Sequence, residues 1–198
     1  MKSLKLTVLL LFITATVFAQ EEVIMNYGLS PDIKIPRLNL GAEIQYYPSG
    51  WVYAARADLY LGKHVNWNFR LAYNDVNRKD LSPHNLTEVG GGFGASLGYR
   101  YFFGKRKGLF LGGRADIWQL DIDWTDKDLN MMPISGTTAI TVFQPTVEVG
   151  YQFKVSKHWT VAPAFAGGFE VNVVTKGEDV RDGLIGLIGV NAAYKLFN

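Results

Sequence analysis

The feature of this chain that most restricts its fold is a two-residue alternation of apolar and polar side chains, repeated about eight times after residue 37. Between residues 51 and 61 every odd position is apolar, whereas the even positions include Arg56 and Asp58. Successive side chains of a β-strand point to opposite faces, so each such segment has one apolar and one polar face. A soluble barrel or sandwich buries the apolar face, whereas a membrane-spanning barrel turns it outward to lipid. The direction of these faces therefore decides the class of protein.

The first residues have the pattern of a secretory signal peptide. Lys2 and Lys5 precede an apolar stretch over 6–18, and Ala19 ends a plausible cleavage site. A retained transmembrane helix fits less well, because the apolar stretch is shorter than the ~20 residues that span a bilayer. We predict a cleaved signal peptide over 1–19, an N-terminal periplasmic tail over 20–37 and a barrel domain over 38–198.

Composition excludes several other classes. The chain has no cysteine, which rules out a lipoprotein anchor and a disulfide framework. Cleavage would remove two of the 20 basic residues and leave 18 against 18 acidic ones, so charge gives no reason to expect nucleic acid. The long uncharged stretch 129–147 contains two prolines and several threonines and is not a membrane helix. A mature chain that enters a membrane must therefore do so as a closed barrel, which satisfies every backbone polar group.

The alternation predicts eight antiparallel strands in an up-and-down transmembrane β-barrel, an all-β fold. They cover approximately 38–46, 51–61, 67–73, 92–103, 109–122, 139–153, 159–172 and 184–196. The phase of the fifth strand changes after Ile117, which predicts a bulge near Trp118. The connections 75–91, 123–138 and 175–183 are predicted as long external loops and the alternate connections as short periplasmic turns. Pro145 and Pro163 lie inside predicted strands and do not fit a continuous ladder.

The polar faces of these strands predict an ion network inside the barrel. Ten charged side chains, five of each sign, occupy mid-strand positions: Glu43, Asp58, Asp116, Glu148 and Glu170, with Arg56, Arg70, Arg100, Arg114 and Lys195. A single Arg at mid-bilayer on the lipid face costs about 2–4 kcal/mol. We therefore place all ten in the lumen, where they can neutralise one another.

The aromatic residues of the apolar faces fall into two groups by height, as expected for rings at the two interfaces of a membrane. The predicted periplasmic girdle contains Trp67, Tyr101, Phe103, Tyr151, Phe153, Trp159 and Tyr194. The predicted outer girdle contains Tyr46, Trp51, Tyr53, Tyr73, Phe93, Phe143 and Phe169.

The combination of export, eight alternating strands, a charged lumen and a penultimate Phe197 resembles the small outer-membrane barrels of the OmpA/OmpX type and the uncharacterised outer membrane β-barrel domain families. The terminal segment 194–198 is similar to the aromatic-ended last strand that barrel-assembly machinery recognises, although the final Asn198 departs from that pattern. The resemblance implies an outer-membrane location in a Gram-negative bacterium. It also implies the membrane's lipids and lipopolysaccharide as surroundings, and the assembly machinery as a partner during insertion.

Catalytic and metal-binding signals are sparse. Ser82 and His84 lie close together in a predicted external loop, where some barrels of this kind modify lipid A, but no family motif surrounds them. His64 and His158 fall in short periplasmic turns, where they are interpreted as exposed. The acids between Asp121 and Asp128 lack the glycine and terminal glutamate of a calcium loop and are interpreted as a hydrated acidic loop.

The sequence therefore favours an outer-membrane protein without catalytic activity or cofactor, whose lumen does not conduct because eight strands enclose only enough room for side chains. Its expected role is in envelope structure or in surface contacts through its external loops, whose ligand is unknown. The alternatives are a lipid A-modifying enzyme and, further, a soluble periplasmic lipid-binding barrel.

Overall fold

The computed structural model describes residues 37–62, 64–78, 85–104, 108–127, 132–177 and 182–196. The proposed signal peptide, nearly all of the proposed tail, Ser82, His84 and Phe197 lie outside these residues. The strands are β1 Arg37–Tyr47, β2 Gly50–Leu61, β3 Val65–Arg78, β4 Asn85–Phe102, β5 Leu109–Lys127, β6 Pro133–Tyr151, β7 Phe153–Lys154, β8 Trp159–Lys176 and β9 Gly183–Lys195. The described part of the chain contains no helix that is long and apolar enough to cross a membrane.

The strands close into a cylinder. Each strand from β1 to β5 pairs antiparallel with the next one in the chain, β6 pairs with β8, and β8 pairs with β9. β9 returns to β1, with Asn39 opposite Lys195 and Tyr46 opposite Ile188. β7 has two residues and continues β6 after a break at Gln152. The predicted eight-stranded antiparallel barrel is confirmed.

The polar faces of the strands point inward. In β2, Val52, Ala54, Arg56 and Asp58 are all buried, whereas Tyr53 between them is 46% exposed. The same alternation holds in β3 and β5, so the outside of the cylinder is apolar and its mid-height interior carries the charges. A soluble barrel has the opposite arrangement. The exposed apolar band is the outer surface that a hydrocarbon environment requires.

The predicted long loops are corrected by the structure. Strand pairing continues into them, so that β3 and β4 remain paired as far as Arg78 and Glu88. β5 and β6 remain paired as far as Lys127 and Pro133. The reason is that ladder hydrogen bonds join backbone groups and continue beyond the apolar band, where both faces of a hairpin meet water. The sequence pattern ends there because no apolar face is needed.

The bulge predicted near Trp118 is wrong. The pairing of β5 with both neighbours runs without a shift from Ile117 to Leu120, and Trp118 and Leu120 are buried inside the barrel. The side chains keep their phase, but the chemistry of the interior changes from charged to apolar at this height. An apolar residue on the inward face was mistaken for a change of face.

The two prolines lie on the seam between β6 and β8. Pro145 is opposite Ala115 in an unbroken ladder with β5, while the β8 ladder is interrupted at Gln144 and Pro145. Such a gap is what the loss of one N–H donor produces. Pro163 lies just beyond the last pair that β8 makes with β6, next to the break at Gln152. The barrel accommodates both prolines because β6 and β8 do not pair at these two positions.

Candidate functional site

The centre of the lumen is built around Glu43 of β1. Its carboxylate accepts hydrogen bonds from Arg56, with Nη1 2.6 Å from Oε2, and from Nη1 of Arg70. Arg114 contributes a third cation, whose Nη1 lies 3.6 Å from Oε1. Three arginines from three different strands therefore share one carboxylate, a positive excess that needs further acids.

Two aspartates supply those acids. Asp58 accepts a hydrogen bond from Nε of Arg56 at 2.8 Å. Asp116 bridges two arginines, with Nη2 of Arg70 2.7 Å from Oδ1 and Nε of Arg114 2.9 Å from Oδ2. All six side chains are almost completely buried. The three cations and three carboxylates therefore balance within one continuous network.

A separate ion pair lies toward the periplasmic end. Arg100 of β4 binds Glu148 of β6 through two hydrogen bonds, Nε–Oε1 at 2.5 Å and Nη2–Oε2 at 2.9 Å. Its guanidinium carbon also lies 4.3 Å from the ring centroid of Phe110. Two parallel hydrogen bonds are the strongest way for an arginine to hold a carboxylate.

The structure thus joins eight of the ten predicted charges in direct ion pairs. The remaining two lie toward opposite ends of the barrel: Glu170 is opposite Gly183 and Lys195 is opposite Asn39. Removing one partner of a buried ion pair leaves an uncompensated charge and destabilises the fold by about 3–5 kcal/mol. Replacing both partners by apolar residues of similar volume has no such cost. The six charges around Glu43 and the separate Arg100–Glu148 pair are each neutral.

Two apolar clusters lie above and below the ions, and the sequence interpretation missed them as parts of the interior. The outer cluster consists of Tyr47, Val52, Ala54, Ala72, Trp118, Leu120, Ile140, Val142, Ile185 and Leu187. The periplasmic cluster consists of Phe102, Phe110, Ala162 and Ala164, with Tyr60 packed against it. In each strand these apolar residues share the even or odd numbering of the inward charged residues. That shared phase is the sequence signal that they point into the barrel. The lumen is filled by two apolar layers with ions between them.

The girdle residues lie on the outward side of the strands. Twelve of the fourteen are exposed, and Trp67 and Phe143 are partly buried. Neighbouring rings touch at both ends of the barrel: the Tyr46 and Trp51 centroids are 5.0 Å apart at the outer end. The Trp159 and Tyr194 centroids are 5.3 Å apart at the other end.

The two described histidines contact girdle rings. His64 stacks on Tyr101 with centroids 5.7 Å apart, and its Nδ1 lies 2.8 Å from the carbonyl oxygen of Phe102. His158 stacks on Tyr194 at 5.6 Å. They were interpreted as exposed turn residues; His158 is exposed, but His64 is partly buried. Both rings therefore extend the girdle.

In the acidic hairpin of β5 and β6, two aspartates make local hydrogen bonds. Asp123 accepts one from the Thr137 hydroxyl at 2.6 Å, and Asp126 accepts one from the backbone N–H of Lys127, also at 2.6 Å. Among the described residues, no three His, Cys, Asp or Glu side chains are grouped to hold a metal ion.

The sequence matches the family described as "Outer membrane protein beta-barrel domain" over residues 6–194. Among solved structures, the chain is similar to Neisserial surface protein A, with 10% identity, a TM-score of 0.51 and coverage of 81% of this chain and 97% of the other. It is also similar to the N-terminal β-barrel domain of Pseudomonas aeruginosa OprF, with 14% identity, a TM-score of 0.44 and coverage of 81% and 97%. No curated protein matches. These likenesses concern the fold.

Proposed function

Because the chain belongs to the outer membrane protein β-barrel domain family, we propose that it acts in envelope structure or surface contacts, as a barrel whose filled lumen does not conduct solutes. The outer-membrane location follows from the family and from the apolar outer face. The role in envelope structure or surface contacts and the non-conducting lumen are what we propose.

The main support for a non-conducting lumen is that three layers of side chains fill it: the outer apolar cluster, the central ions and the periplasmic apolar cluster. The central ions are held in pairs across the lumen, as between Glu43 and Arg70 and between Arg100 and Glu148. Trp118 and Phe110, in the layers above and below, are 3% and 0% exposed. A solute would have to separate buried ion pairs and displace both apolar layers. Eight-stranded barrels of this size leave no aqueous channel.

The extended hairpins support a role in surface contacts. β3 with β4 and β5 with β6 carry paired backbone beyond the outer girdle, where Asp75, Asp121 and Asp123 are exposed. Paired strands fix the backbone positions of these carboxylates. We propose that they meet lipopolysaccharide through bridging divalent cations. The barrel-assembly machinery is proposed as the partner during insertion.

No catalytic activity is part of the proposal. Deleting the gene is expected to leave the acyl composition of lipid A unchanged, as measured by mass spectrometry of extracted lipid A. A change that the wild-type gene restores and a His84→Ala gene does not would support the lipid A-modifying alternative instead.

Planar-bilayer recording tests the closed lumen. The refolded, purified protein is expected to give no stepwise current at neutral pH, whereas a sixteen-stranded porin prepared in the same way serves as the positive control. Reproducible current steps from folded protein would contradict the proposal. Sensitivity of a deletion strain to detergent and chelator tests the envelope role, and unchanged sensitivity under both stresses would count against it.

A further inference from the structure

Three basic side chains enter the lumen at its periplasmic end. The guanidinium carbon of Arg37 lies 5.4 Å from the ring centroid of Tyr60, which packs against the periplasmic apolar cluster inside the barrel. Lys154 and Lys195 each follow an aromatic girdle residue on the outer face, so the alternation turns both lysines inward. All three cations therefore face the mouth of the lumen.

A hydrogen bond across the lumen and two small buried residues form a floor beneath these cations. The Tyr60 hydroxyl donates to Oε1 of Gln152 at 3.0 Å. Ala162 and Ala193 lie on strands between these two residues in the wall and are each 1% exposed. Thr160 is nearer the periplasm than Ala162 and is partly exposed. We call this mouth the periplasmic recess, formed by Arg37, Tyr60, Gln152, Lys154, Thr160 and Lys195.

The periplasmic recess has an excess of positive charge. Among the described residues, the acids nearest to it along the strands are Asp58 and Glu148, and both are buried. They already bind arginines deeper in the lumen, Arg56 at 2.8 Å and Arg100 at 2.5 Å. The cations of the recess therefore attract an anion from the periplasm.

The width of the barrel limits what can enter the recess. Short turns and the ends of β1 and β9 mark this end as periplasmic. The interior of an eight-stranded barrel is just wide enough for side chains or one small ligand. A folded partner is too wide, whereas a small anion or the end of a flexible chain fits. Three cations in so narrow a space favour an anion with more than one negative charge, because a monovalent ion leaves most of their mutual repulsion in place.

We propose that the periplasmic recess binds a small multivalent anion, carried either free in solution or on the end of a flexible acidic chain. Arg37 presents a planar fork of N–H donors, and the two lysines add ammonium groups on mobile stems. The Thr160 hydroxyl and the bridge between Tyr60 and Gln152 add neutral polar groups on the floor. Each exposed ion pair contributes up to about fivefold in binding, so the binding is weak and falls as salt is added.

Nuclear magnetic resonance of the backbone amides measures this binding residue by residue. The protein is refolded into zwitterionic micelles and titrated with citrate at constant ionic strength. Saturable shifts are expected at Lys154, Thr160 and Lys195 and not in the outer hairpins, and acetate at the same ionic strength is expected to give none. An Arg37→Gln, Lys154→Gln variant is expected to bind citrate about 2- to 25-fold more weakly.

Two further variants separate a site from general attraction to positive charge. Lys127→Gln with Lys176→Gln removes the same charge at the outer end and is expected to keep the wild-type affinity. Thr160→Leu keeps every charge but narrows the recess, and is expected to weaken citrate binding. Citrate binding that Thr160→Leu leaves unchanged would overturn the proposal, as would a loss smaller than twofold in the Arg37, Lys154 variant. Unchanged amide signals from the outer hairpins show that each variant is folded.

A hexaglutamate peptide distinguishes the two sources of the anion. If the peptide shifts the same amides and binds more tightly than citrate, the recess is assigned to an acidic chain. If citrate binds more tightly, the recess is assigned to a free anion. The absence of saturable shifts with both probes would overturn the proposal.

Discussion

Replacing Glu43 by glutamine is expected to destabilise the folded barrel by about 3–5 kcal/mol, the cost of leaving buried charge without its partner. Glu43 is the carboxylate that Arg56 and Arg70 both bind and that Arg114 approaches to 3.6 Å. Glutamine has nearly the same shape but one neutral acceptor, so the three guanidinium groups would face only Asp58 and Asp116. The interior would then carry one uncompensated positive charge.

Equilibrium unfolding in urea, in lipid vesicles and followed by tryptophan fluorescence, measures the loss. The Glu43→Gln, Arg56→Gln double variant restores neutrality and is expected to be more stable than the sum of the single changes implies, by about 0.5–3 kcal/mol. Glu88→Gln is the control, because its pair with Arg78 is partly exposed, with 3.7 Å between the charged atoms, and should contribute at most about 1 kcal/mol. If Glu43→Gln lowers the free energy of unfolding no more than Glu88→Gln does, the six central charges do not act as one neutral unit.

Further predictions concern the wall and the outer apolar layer. Leu71→Arg, on the lipid-facing side of β3 where Leu71 is 71% exposed, should destabilise the barrel by about 2–4 kcal/mol. Asn77→Arg, on the same face above the outer girdle, should cost at most about 1 kcal/mol; equal losses in vesicle unfolding would contradict the outward assignment. Trp118→Ala should destabilise by about 3–5 kcal/mol in the same assay, since the Trp118 ring packs directly over Gly94. A near-zero change would show that the outer apolar layer is not packed.

Much of the wall was predictable from the sequence because a strand's period of two is a strong local signal. Alternation places Arg56, Asp58 and Arg70 on one face of their strands and Tyr53 and Leu71 on the other, and the cost of a charge on a lipid-facing surface then makes the charged face the inward one. These are properties of single strands and need no knowledge of how the strands meet.

The contents of the lumen were less predictable because they depend on contacts across the barrel. Which carboxylate meets Arg70 is set by the tilt and stagger of the closed cylinder, which brings Asp116 of β5 within 2.7 Å of an arginine on β3. Trp118 was misread because an inward apolar residue looks locally like an outward one. The continued pairing beyond the apolar band was missed because backbone hydrogen bonds leave no hydrophobic pattern.

The ion pairs between non-adjacent strands have a consequence for how this barrel must assemble. Glu43 and Arg114 lie on the first and fifth strands, and Arg100 and Glu148 on the fourth and sixth. A flat sheet of the same hairpins holds these partners apart, so their charges stay hydrated until the sheet curls. An open sheet can already form the pairs within one strand or between neighbours, such as Arg56 with Asp58 and with Glu43. The pairs between distant strands form only as the sheet curls, so the last part of the charge neutralisation coincides with closure of the cylinder.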